Sequence, residues 1–107
     1  LRAYRQGVAP VGSATLLKQI EYCERWLNER PNDTEISLAL GVLCLKQKLW
    51  GKAQRHLEQS LTDSDLVTRQ EAHLRLAQLH EELNQPEAAA DHYRQCAMTL
   101  LPVAAKS

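Results

Sequence analysis

The chain has 107 residues, enough for one domain with a modest core. Thirteen basic and thirteen acidic residues cancel to a formal net charge of 0, which excludes a global basic field for nucleic acid or an anionic membrane. Apolar residues make up 44% and charged ones 24%, as in ordinary soluble domains, and no run reaches the roughly 18–20 apolar residues of a membrane span.

The chain starts at Leu1 rather than Met, which is the expected look of a piece of a longer protein. Residues 1–12 carry Gly7, Pro10 and Gly12 and read as an irregular segment. Leu16, Ile20, Cys23 and Leu27 then fall on one helical face, with Ser13 as a candidate N-cap and Pro31 as a stop, so a helix is predicted over about 14–29. After Asn32 and Asp33, both able to cap, nearly every residue from Ile36 to Leu45 is apolar or small. A helix apolar on all sides is either sandwiched or carries a binding surface. It ends near Lys46–Lys48, where positive charge suits a helix C-terminus.

A third helix is predicted from Leu49 or Trp50 to Leu61. The polar stretch "TDSDLVTRQ" then opens into a fourth at about 66–83. Asn84 suits a left-handed residue just past that helix, and Pro86 suits the first turn of a fifth, running to about Leu100. Residues 102–107 read as a tail. The short connections make neighbouring helices antiparallel.

Displacing the chain by 36 residues sets Leu40-Gly41 on Leu76-Ala77, Ala53 on Ala89, Leu57 on Tyr93 and Ser60 on Cys96. Small residues in this pattern mark close helix crossings, and large ones fill the gaps between them. The spacing resembles the tetratricopeptide repeat, a helix–turn–helix unit of about 34 residues. This chain departs from that pattern at Ser37 and His73, at Cys44 and His80, and at Asp65. The two extra residues of the 36-residue shift are expected in the Asp63–Arg69 loop.

The resemblance implies an all-α fold, a right-handed solenoid of antiparallel helix pairs with about five helices. It divides into a partial repeat at 1–33, repeats at 34–67 and 68–101, and the tail. The strings "ERWLNERPND", "CLKQKLWGKAQRHLEQSL" and "LHEELNQPEAAADHYRQ" further resemble the C-terminal region of HemY-type proteins of proteobacteria, the membrane-anchored repeat proteins associated with heme biosynthesis. That likeness implies an N-terminal inner-membrane anchor outside this chain, a cytoplasmic repeat domain and a role in heme (porphyrin) biosynthesis or homeostasis. The segment itself is expected to be soluble.

Chemistry is sparse. No GxSxG, P-loop, Rossmann or HExxH string is present, and a non-catalytic role is expected. Three cysteines at irregular spacings, Cys23, Cys44 and Cys96, make neither a disulfide framework nor a zinc signature, and read as core-filling thiols in a reducing compartment. His73 and His80, two turns apart, read as packing groups, and His56 and His92 as outward-facing, partly exposed ones. Cys44 and His80 hold equivalent repeat positions and are the candidate heme ligands, through thiolate or imidazole; an orientation toward the second helix of each pair argues for packing instead. Trp26 and Trp50 read as packing at helix junctions, because neutral charge and the lack of an aromatic series weigh against base stacking.

The resemblance assigns the partner groove to the first helix of each pair. Its positions here are Glu35, Leu38, Val42, Leu45 and Lys46, then Glu71, Leu74, Gln78, Glu81 and Glu82. The first set is apolar with a cationic end and the second is acidic. Only Lys46 fits the clamp that grips an acidic C-terminus, so an apolar partner segment, a helix among the candidates, is expected. The alternative is that the preceding N-terminal segment covers Leu38, Val42 and Leu45. Expected partners are proteins or peptides, heme-pathway enzymes among them, and not nucleic acid. Further readings are a direct heme-handling module, or a peptide adaptor unrelated to heme. Exposed end helices are expected to pair two chains into a dimer.

Overall fold

The computed structural model describes residues 13–100, which form five helices and no strand. The expected irregular segment at 1–12 and tail at 102–107 lie outside the described residues. The helices are α1 (Ser13–Glu29), α2 (Thr34–Lys46), α3 (Trp50–Ser60), α4 (Leu66–Glu82) and α5 (Pro86–Leu100).

Local chemistry sets these limits. Asp33 caps α2 by accepting a hydrogen bond from the Ile36 N–H at 3.0 Å. Asp65 caps α4 in the same way, taking the Thr68 N–H at 3.2 Å and the Thr68 hydroxyl at 3.0 Å. Two residues past the ends of α2 and α4 stand Lys48 and Asn84, each with φ of 61°. At both ends the next residue donates five residues back: Leu49 N–H to the Cys44 carbonyl and Gln85 N–H to the His80 carbonyl, both at 2.8 Å. This is the left-handed closure that turns a helix into its antiparallel successor. Asn84 tolerates that conformation; Lys48 adopts it with a Cβ that disfavours it.

Successive helices pack on one another, most extensively α2 on α3 and α4 on α5, and α2 also touches α4. Helix α2 therefore lies against α1, α3 and α4, which is why its sequence is apolar all round. One core cluster joins Ile20, Leu40, Cys44 and Ala53; the other joins Leu57, Leu76 and Leu79, and Leu45 packs against both. At the α2–α3 crossing a Cβ on Gly41 would stand 2.7 Å from Leu57 Cγ and Cδ2, so only glycine lets these helices approach so closely.

The extra length of the second unit is not in a loop. Helix α4 has 17 residues against 13 in α2, and both end at equivalent positions, Glu82 and Lys46, so α4 gains about one turn at its N-terminus. The connection before it is pinned instead. The Thr34 hydroxyl donates to the Asp63 carboxylate, and the same carboxylate takes the Asp65 N–H at 2.7 Å. The Thr34 hydrogen bond, then that of Asp65, holds the Asp63 carboxyl below its ordinary pKa.

Candidate partner groove

The ten groove positions divide between two clefts, apart from Leu74, which is half-buried and lines neither. The first cleft, about 570 Å³, has Leu38, Ala39, Val42 and Leu43 of α2 as its floor and Glu35 and Glu71 on its rim. The second, about 410 Å³, collects Leu45, Lys46, Gln78, Glu81 and Glu82, with Lys48, Trp50 and Arg75.

The wall that repeat spacing did not supply comes from the preceding helix. Gln19, Tyr22 and Cys23 of α1 close one side of the first cleft. Comparing each pair only with its own copy overlooks them, because α1 has no copy of its first helix in the described residues. Helix α1 flanks Leu38 and Val42 without burying them: both are half-buried, while Glu35 is exposed.

Arg75 is the other addition. Its Nε donates to Glu71 at 2.7 Å and its Nη1 to Gln78 at 3.3 Å, so it stands between the two clefts. The expected acidic second half of the groove is therefore mixed in charge, with Arg75, Lys46 and Lys48 facing Glu81 and Glu82. The Glu71–Arg75 pair is visible in sequence as i, i+4. Tyr93 reaches back from α5, its hydroxyl donating to Glu81 at 2.9 Å, and that carboxylate raises the phenol pKa.

The candidate heme ligands sit in different surroundings. Cys44 has no exposed surface, and desolvation pushes its thiol above the ordinary range, so it stays protonated and packs in the first core cluster. His80 is 8% exposed; its Nδ1 lies 2.6 Å from Gln85 Oε1 and its ring stacks on His92. Cys44 is thus closed off in the core, and His80 is held by Gln85 and His92 at the α4–α5 contact.

Three sequence expectations are corrected here. His56 is buried, not outward: with Leu40 and Arg55 it lines a recess closed by Glu24, Leu27 and Asn28 of α1. Burial lowers its pKa, and its Nε2 has no hydrogen-bond partner among the described residues. Trp26 is 44% exposed rather than packed at a junction, tilted against Tyr22 with the Arg30 guanidinium 5.6 Å from its ring. Trp50 does pack at the α2–α3 junction, against the second core cluster. Of the three cysteines only Cys44 is core; Cys23 and Cys96 are half-buried.

Comparison of the chain with protein families, characterised proteins and solved structures returns no match. Among the described residues no helix is long and apolar enough to cross a membrane.

Proposed function

We propose that the chain is a short tetratricopeptide-type solenoid acting as a non-catalytic protein-interaction scaffold, and that it belongs to a HemY-type, membrane-anchored protein of heme biosynthesis or homeostasis. The repeat reading draws support from the closure hydrogen bonds, which recur 36 residues apart with the same lengths, and from the contact between α2 and α4. The heme-pathway reading rests on the sequence likeness alone.

One observation carries the scaffold: the first cleft is open, floored by Leu38 and Val42, and rimmed by Glu35 and Glu71. An apolar floor between carboxylates suits an apolar partner segment flanked by basic residues.

The test is affinity measurement between the purified chain and purified enzymes of porphyrin synthesis, with Leu38→Asp beside wild type. Binding by wild type that is lost in Leu38→Asp, with the helical circular dichroism and melting of the variant unchanged, is the expected result. A folded Leu38→Asp that still binds removes the groove assignment. Failure of every heme-pathway enzyme to bind removes the pathway assignment and leaves the cleft for another peptide. Exposed Leu17, Tyr22 and Trp26 at one end and Met98 at the other support pairing of chains through their end helices. Light scattering that shows a monomer at high concentration excludes that pairing.

A further inference from the structure

The two ends of the first cleft differ in chemistry. Helix α2 follows α1 after residues 30–33, so Glu35 stands beside the later part of α1 and Val42 beside its earlier part. There Val42 and Leu43 share the cleft with Gln19. At the other end a smaller cavity of about 280 Å³ joins Glu35 and Ala39 to Tyr22 and Trp26. Of the two rim carboxylates, Glu71 is held by Arg75 at 2.7 Å, whereas Glu35 is exposed and joins none of the ion pairs among the described residues.

The twelve residues ahead of α1 read "LRAYRQGVAPVG". They carry Arg2 and Arg5 but no acidic residue. Both arginines lie toward Leu1, while Val8, Ala9 and Val11 lie toward α1. Pro10 and Gly12, just before Ser13, are residue types that favour chain reversal. A segment turning back there passes Val42 first and Glu35 last. Its apolar part then meets the apolar end of the cleft, and its basic part meets the unpaired carboxylate.

We propose that residues 1–12 turn back at Ser13 and fill the first cleft, with Val8 and Tyr4 on the Val42–Leu38 floor and the Arg2–Arg5 pair against Glu35. The reach fits. From Gln19 to Trp26 helix α1 advances about 11 Å at roughly 1.5 Å per residue. Extended chain covers that span in about three to four residues at roughly 3.3 Å each, and Val8 and Tyr4 are four apart. Apolar contact supplies the affinity, and the charge pair sets the direction.

The segment is then a built-in competitor, a consequence that rests on the reading of this cleft as the partner-binding face. Tethering gives it an effective concentration in about the millimolar range. A partner must displace it, and the partner's apparent affinity falls in proportion to the fraction of open clefts. The partners able to displace it share its chemistry, an apolar stretch beside basic residues.

The test is methyl nuclear magnetic resonance on the full chain. Wild type should show Overhauser contacts from Tyr4 and Val8 to the Leu38 and Val42 methyls, unchanged by dilution. Arg2→Glu combined with Arg5→Glu should lose them, and Glu35→Arg added to that pair should restore them. A synthetic peptide of residues 1–12 should bind the charge-reversed chain about tenfold more tightly than wild type, as when the tethered segment fills about nine-tenths of the clefts. Absence of the wild-type contacts, their loss on dilution, which marks a second copy as the occupant, or equal peptide affinity for both chains would each overturn the proposal. The enzyme-binding assay judges the scaffold separately. Enzymes that bind through Leu38 while these contacts are absent keep the scaffold and sink the occupant; contacts without enzyme binding do the reverse. The wild-type spectra decide the matter even if a variant misfolds.

Discussion

The two helix pairs, α2–α3 and α4–α5, use one backbone plan with different side chains, and the difference follows from their neighbours. In the first pair Gly41 meets a fully buried Leu57, and Cys44 is sealed in the core. In the second, Ala77 replaces the glycine, Tyr93 is 37% exposed, and His80 stands where Cys44 was. The first pair has α1 on one side and α4 on the other; within the described residues the second has a neighbour on one side only. A pair packed on two sides must be apolar and close-fitting, whereas a terminal pair can carry polar groups toward water. Side-chain chemistry divides the same way, with the apolar cleft on the first pair and the histidine cluster in the second.

The largest effect should separate the two central large residues. Leu57→Ala is expected to destabilise by about 2–5 kcal/mol, since Leu57 is wholly buried in the second core cluster. Tyr93→Ala should lower the melting temperature far less, because its ring is partly exposed and its hydroxyl bonds an exposed Glu81. Equal losses in denaturant titrations would mean that the two pairs are packed alike.

The crossing residues come next. Gly41→Ala introduces a Cβ at 2.7 Å from Leu57, an overpacking that costs about 1–3 kcal/mol, offset by about 1 kcal/mol of helix propensity. Net destabilisation of roughly 1 kcal/mol is expected from these opposing terms. A stabilised Gly41→Ala would show that the first crossing has slack.

At the turns, Lys48→Gly should stabilise by about 1 kcal/mol by relieving a left-handed residue that carries a Cβ. Asn84→Gly should gain less, because Asn already tolerates that conformation. Thermal melts of the two variants side by side measure the difference directly.

The smallest effect is on pH dependence. Burial lowers the pKa of His56 below its ordinary value, so the unfolded chain binds protons first. Stability should be full above about pH 6.5, decline as pH falls through the unfolded-state value, and level off below the folded one. His56→Gln should flatten that part of the curve. An unchanged slope would mean that His56 is solvated in the folded state, and the contrast with the more open His92 would be lost.

Much of the fold was legible before any coordinate. Asp33, Asp65, Asn84 and Pro86 act locally, through bonds within a few residues or through a fixed backbone angle, and local chemistry is written in local sequence. The 36-residue echo was legible for the same reason, since it is written in the spacing of small and large residues. Six of the ten groove positions are half-buried and four exposed, and their grouping into two clefts was not readable.

The sequence by itself determined the five helices and the left-handed closure at Asn84. Tertiary structure alone decided that His56 is enclosed by α1, that Trp26 faces outward, and that the added residues extend α4. It also set Tyr22 as a cleft wall and brought His73 to His92. The physical reason is range. A cap or a turn is settled by atoms within one helical turn, whereas burial and ring-to-ring distance depend on which helix lies opposite, and periodicity does not encode that choice.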